Sequence, residues 1–546
     1  MDGAKPRNPL MASEESIKVF LGKDKAMIIK YFRIVVLFIF SISSLALIGC
    51  DEKRQEDSGT KMDLFENVSI IEYGAIPDGS SDAVEAVVKA ARKLGNDQAI
   101  YFPAGEYLFE SDLEIAVPVR IGGNAKIIVA KGSKLIFSGL FAAGEQKIFQ
   151  GEGSVEITST DVWGYPSWFD DGKQDLAALI QKAADSLRCL IIPSGSYILP
   201  EIVLRNPISL KGVGSMKIKL KARDGTGVLF RIFSNNVSFE NFFIDMSKSA
   251  KESVCFLMDN SNQDITGFNL ENIEIEKGYT VITDADSSEH AISKVNCRQV
   301  TCSGQKSTPI IMRNFKEEIR MTEVSVIRRK QLGASVNVPG AVIENNKGMI
   351  LEHFDVNGDI DGLDTEGHGI IFRNCENVSM HRILIEYISG TGFIFENCKN
   401  FYGDNVQVYT FYNKGFIMNG LEDTTFNLLK VTHNELPGSD AGFLPENLDI
   451  TNSKNLTFNS VISIGSRGAS LSLENCSDIE INSYYSENRK GLSVSDEGNN
   501  TGIRINGMID RGSGTSIKLI SDGICIRAAV LGSGDPFEEI CEPGNY

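Results

Sequence analysis

Apolar and polar positions change period along this chain. At Val84, Val87, Val88 and Ala91 the apolar residues fall three or four apart, and the spacing returns at Leu176, Leu179, Ile180 and Ala183. That period puts one apolar stripe on an α-helix. Asp82 and Asp175 stand ahead of the two runs, where a carboxylate can cap free N–H groups. Each predicted helix leads into an apolar strand and a Pro-x-Gly turn, "IYFPAGEYLF" at 100–109 and "LIIPSGSYIL" at 190–199. Turn, short amphipathic helix, strand and Pro-turn thus occur twice, an internal duplication.

Further along, the pattern becomes a repeat of short strands. "FRNCENVSMHRILIEYISGTGF" at 372–393 and "FENCKNFYGDNVQVYTFYNKGF" at 395–416 share a 23-residue register, and 343–356 and 473–481 fit the same frame. A repeat of this length predicts the rungs of a β-solenoid, stacked about 4.8 Å apart. The recurring Asn345, Asn374, Asn397 and Asn475 predict a ladder whose amides bond backbone at turns, where Asn accepts a left-handed conformation. Cys375, Cys398 and Cys476 would stack beneath it as small core residues.

The turn "GAIPDGSSD", the helix after it and "YFPAGEYLF" resemble the N-terminal signature of the pectate-lyase superfamily, whose members are right-handed parallel β-helices. The resemblance implies an all-β fold, a right-handed parallel β-helix of about 23 residues per rung, with short capping helices on its N-terminal side. The expected organisation is a signal region at 1–50, a flexible tether at 51–66, a first cap-helix and strand unit at 67–160, a second cap helix and the β-helix at 161–530, and a tail at 531–546. The resemblance further implies a polysaccharide bound along one face across several rungs.

The start of the chain has a pattern of its own. "MIIKYFRIVVLFIFSISSLALIGC", 27–50, has a basic beginning, an apolar stretch and a small residue before Cys50. It resembles a bacterial lipoprotein signal with Cys50 as the lipidated residue, which would anchor the protein to a membrane at the periplasm or cell surface. The formal charge of −18 argues against a nucleic-acid partner, since a phosphate backbone needs a basic face. No CxxC pair is present, so a zinc site is not expected.

Candidate chemistry concentrates between residues 350 and 435, which hold four of the five histidines, His353, His368, His381 and His433. The 23-residue frame aligns Tyr387, Thr410 and His433 in one column, Glu386, Tyr409 and Thr432 in the next, and His353, Arg382 and Asn405 in a third. The leading expectation is a lyase that cleaves a uronate-containing polysaccharide by β-elimination. His433 or Tyr409 would move the proton and Arg382 would grip the uronate carboxylate. Arg328, Arg329 and Lys330 could extend such a groove. A glycoside hydrolase on the same fold needs two carboxylates instead, Asp364 and Glu386. A non-catalytic, tailspike-like binding or adhesion solenoid stays open as well. His368 lies in "GHGI", 367–370, which is similar to a polygalacturonase motif whose other parts are missing. Asp359, Asp361, Asp364 and Glu366 offer oxygen ligands for Ca²⁺, against the plainer reading of an exposed acidic turn.

Overall fold

The computed structural model describes residues 65–530 except 171, 173–174, 215, 287–288, 360–365, 434–445, 488–491, 512–516 and 522. From Glu66 on, the described residues lie in a single unit. No described helix is long and apolar enough to cross a membrane.

The two helical runs form helices α1, Val84–Lys93, and α2, Leu176–Ser186. Asp175 caps α2 by accepting the Ala178 N–H at 2.8 Å. Asp82 sits one place further out and accepts the Val84 N–H at 3.2 Å. The repeated Pro-turns share one cause. Tyr107 is buried and its hydroxyl donates to the Pro103 carbonyl at 3.0 Å, and Tyr197 does the same to Pro193 at 2.7 Å. Each ring fills the core while its hydroxyl satisfies the carbonyl that the turn leaves open.

Every strand pairing is parallel. Around α1 the chain makes a small three-sided coil with sheets of four, four and three strands. After it, one 18-stranded and one 13-stranded sheet run on to the Ile524–Val530 strand. This is a right-handed parallel β-helix. The second helix does not close an open end. It packs against Ser154–Ile157 of the first coil and against the opening strands of the second. Trp168 joins the two, packing on Phe141 and Phe149 and donating its indole N–H to the Gly144 carbonyl at 2.9 Å. The buried apolar residues form one continuous core from Ile70 to Ile526.

Each long strand of the main coil contains a corner. In Glu376–Ile388 the residues Asn377, Arg382 and Tyr387 have φ of 59°, 55° and 56°, and the corner positions repeat at Asn400, Asn405 and Thr410. Between corners, side chains alternate inward and outward. Inward aromatic residues stack rung on rung, Phe372 over Phe395 at 5.4 Å and Phe393 over Phe416 at 5.0 Å.

The asparagine ladders are present, with one difference from expectation. Asn374 donates to the Oδ1 of Asn345, not to backbone, and Asn475 donates to Asn452, which donates to Asn419. At these corners the amide of one rung is nearer to the amide of the next than to a free carbonyl. The cysteine stack is interrupted. Cys375 and Cys398 are successive, but Leu421 and Ser453 occupy the same position before Cys476. These cysteines are free and buried, and the Cys375, Cys398 and Cys476 thiols donate to strand carbonyls.

Candidate active site

Five consecutive strands, Lys316–Ile327, Lys347–Asn357, Glu376–Ile388, Lys399–Phe411 and Glu422–Thr432, carry the site. Their register sets two outward columns. One runs Ser325, Asp355, Leu384, Gln407, Lys430, and the other Ile327, Asn357, Glu386, Tyr409, Thr432. The chain leaves the first strand through Arg328 and turns back over the columns at Lys330–Leu332. A groove of about 420 Å³ opens there, lined by Arg329, Leu332, Asp355, Asn357, Leu384 and Glu386 among others.

Asp355 and Glu386 are the titratable pair of this groove. Asp355 is level with Leu384 and Asn357 with Glu386, so the carboxylates are diagonal neighbours on adjacent rungs. Burial raises the Glu386 carboxyl above its ordinary range and the negative charge of Asp355 raises it further. A hydrogen bond from Asn357 and the charge of Arg329 pull it back part of the way. Burial likewise raises Asp355, opposed by nearby His353. Asn357 donates to Glu386 Oε2 at 3.1 Å and accepts both Nε and Nη2 of Arg329 at 3.3 and 3.1 Å. Tyr409, one rung on, donates to Gln407 at 2.6 Å, and the Lys430 ammonium lies 5.1 Å from the centre of its ring. Two half-buried carboxylates facing one groove from adjacent rungs are placed to give and to take a proton.

The aligned columns of Glu386 with Tyr409, and of His353 with Arg382, are present. Arg382 stands on an exposed corner with Nη1 2.8 Å from His353 Nε2. His433 is a correction. It continues its column inward, is 4% exposed and packs on the Phe411 ring at 5.0 Å, so it cannot meet a polymer. His368 is also misassigned. Its ring is not among those lining the groove. Its Nδ1 accepts the Thr391 N–H at 3.1 Å, and burial holds the imidazole below its ordinary pKa. The glycine after it, Gly369, packs against the Gly392 carbonyl of the next rung. Arg328 is buried too, donating to the carbonyls of His368 and Val336 at 2.8 and 2.6 Å, so of the basic cluster Arg329 is the member that lines the groove.

Asp361 and Asp364 lie outside the described residues. Asp359 accepts the Lys330 N–H at 3.2 Å, and Glu366 is exposed. Among the described residues no group of three or more His, Cys, Asp or Glu could hold a metal ion. Asp355 and Asn357 line the groove, and neither stood in a column that the repeat frame singled out. Their signal was the two-residue alternation of "HFDVNG", which aims both outward.

The fold is a right-handed parallel β-helix, and its first coil carries a family likeness. Residues 67–159 match the family described as rhamnogalacturonase A/epimerase, pectate lyase-like. No curated protein matches the chain. Among solved structures the chain is similar to the A-module of a mannuronan C-5 epimerase from Azotobacter vinelandii, at 10% identity, 85% of this chain, 100% of that one and a TM-score of 0.26. It is similar to tailspike protein 2 of Escherichia coli bacteriophage CAB120, at 13% identity, 60% and 42% coverage and 0.32. A third is PfbA, a surface adhesin of Streptococcus pneumoniae, at 10%, 88%, 97% and 0.21.

Proposed function

We propose that the protein is a polysaccharide-cleaving enzyme and that Asp355 and Glu386 hydrolyse a glycosidic bond in the groove. The observation that carries this reading is the placement of two half-buried carboxylates on adjacent rungs of one groove. Glu386 keeps its proton to higher pH than a free glutamate and can give it to the leaving oxygen. Asp355 faces the same space and can assist a water or attack the sugar. The apolar surfaces of Ile327, Leu332 and Leu384 give a sugar ring a place to lie. Arg329, beside the pair, suits a polymer carrying uronates.

The test is the purified protein on a panel of uronate-containing polysaccharides, following new reducing ends and the ultraviolet absorbance of unsaturated uronate. Reducing ends without absorbance are expected, and Glu386→Gln and Asp355→Asn should each lower the rate by about a hundredfold or more. If both signals rise together, the reaction is β-elimination. That second reading rests on Tyr409, which shares the Glu386 column and lies under the Lys430 ammonium. Silence in both signals, with retention on one polymer, would instead mean a binding solenoid.

We also propose that the chain is exported and held to a membrane by a lipid on Cys50. Radiolabelled palmitate should enter the protein expressed in a bacterial host and be lost in Cys50→Ala. Equal labelling of both would refute the anchor.

A further inference from the structure

We infer that Arg329 and Asn357 are positioning residues that fix which oxygen of Glu386 carries the catalytic proton. The inference rests on the hydrolytic reading of the groove and adds to it an orientation device.

An asparagine amide can turn over and exchange its oxygen and nitrogen, so the amide alone does not decide what it offers a neighbour. Here the neighbour on the other side decides. Arg329 can only donate. Its Nε and Nη2 both point at one atom of Asn357, at 3.3 and 3.1 Å, and that atom must be the acceptor Oδ1. The amide nitrogen then faces Glu386, 3.1 Å from Oε2. Oε2 thus always receives a donor. In the protonated carboxyl the carbonyl oxygen is the better acceptor, so the proton stays on Oε1. When the bond breaks, the Oε1 proton passes to the glycosidic oxygen and the C–O electron pair leaves with that oxygen, while a water that gives its proton to Asp355 forms the new C–O bond at the anomeric carbon; Glu386 becomes a carboxylate already held at Oε2.

The groups facing Glu386 are Asp355 and Asn357 on the preceding rung, Arg329 from the turn above and Tyr409 on the following rung. Asp355 favours the protonated form, while Arg329 and Asn357 favour the ionised one. Removing Arg329 frees the amide to turn, so that Oδ1 can face Glu386. Removing Asn357 takes the donor away. Both changes should raise the Glu386 pKa.

The experiment labels the glutamate carboxyls of the whole protein with carbon-13, assigns Glu386 by its loss in Glu386→Gln, and titrates wild type, Arg329→Met, Asn357→Leu and Arg329→Lys. In the first two variants the Glu386 midpoint should rise by about one pH unit. Arg329→Lys, which still donates to Oδ1, should stay near wild type. On an active polysaccharide, kcat should fall about tenfold in Arg329→Met and Asn357→Leu, with KM little changed in Asn357→Leu, and the basic limb of the pH profile should follow the titration. An unmoved midpoint in both variants, with unfolding temperatures at the wild-type value, overturns the inference. A moved midpoint in a protein that hydrolyses nothing leaves the orientation device standing and sinks the hydrolytic reading.

Discussion

A single buried residue shows how neighbours set a charge here. Asp284 lies on the 13-stranded sheet, away from the groove, and its side chain is buried, with Arg313 Nη1 3.5 Å away. Burial outweighs that attraction and pushes the carboxyl up to about 6. A carboxyl raised in the fold favours folding when protonated. Its contribution is fully present below the unfolded value near 3.8 and is lost as pH rises through about 6. Asp284→Asn should therefore stabilise the protein by about 1–2 kcal/mol at pH 8, with Arg313 still near Asp286 and Glu344, and the gain should vanish at pH 4. Thermal unfolding at the two pH values checks this, and an equal gain at both would contradict it. At this scale the sequence was least legible. Nothing in "HNEL" marks His433 as inward, because a residue just past a corner points in or out according to how the next loop leaves the rung. Asp355 and Glu386 are 31 positions apart, and only the register of two rungs makes them neighbours.

Among elements, the repeat carries more than its asparagines announced. Gly340, Gly369 and Gly392 directly precede their strands, Gly415 is the second residue of Lys414–Asn419, and the four stack in a column. A Cβ on Gly369 would come within 2.3 Å of the Gly392 carbonyl, and one on Gly392 within 2.6 Å of the Gly415 carbonyl. Glycine is required here by close approach of backbone to backbone. The "GHGI" stretch that resembled a catalytic motif owes its second glycine to this packing. Gly392→Ala should cost about 2–4 kcal/mol, since the Cβ also meets Val408 and neither neighbour can retreat from a packed rung. Denaturant unfolding measures the loss, and an unchanged midpoint would mean that the column opens easily. Helices, strands and rung length were readable because each depends on a local period. The role of α2 was not. A helix between two coils has the same amphipathic pattern as one at an open end, and only Trp168, packed on Phe141 and Phe149, tells them apart.

Over the whole molecule, rungs are interchangeable for folding and unique for chemistry. Phe393 is in register with Phe416, and the residues between them make one rung. Deleting residues 393–415 would join Gly392 to Phe416 and preserve the glycine column, the strand order and the core. It would also bring Thr432 beside Glu386 in place of Tyr409. We expect the shortened protein to give the circular dichroism of a β-helix. Its activity on the polymer should fall, because the groove floor beyond Glu386 would change. Loss of the fold would show that the rungs are less independent than their register implies.

The amides at the corners all hand their hydrogen bonds the same way. Asn475 gives to Asn452, Asn482 to Asn459 and Asn506 to Asn482, always from the later rung to the earlier one. A row built so behaves like a parity check on copying. A rung inserted whole brings its own donor and acceptor and passes unnoticed. A rung inserted one residue out of frame leaves an amide unmatched above and another below, and the error is felt at once. Such a chain can lengthen by duplicating complete turns and resists lengthening in any other way, which is how a protein with four near-copies of one phrase would come to be written.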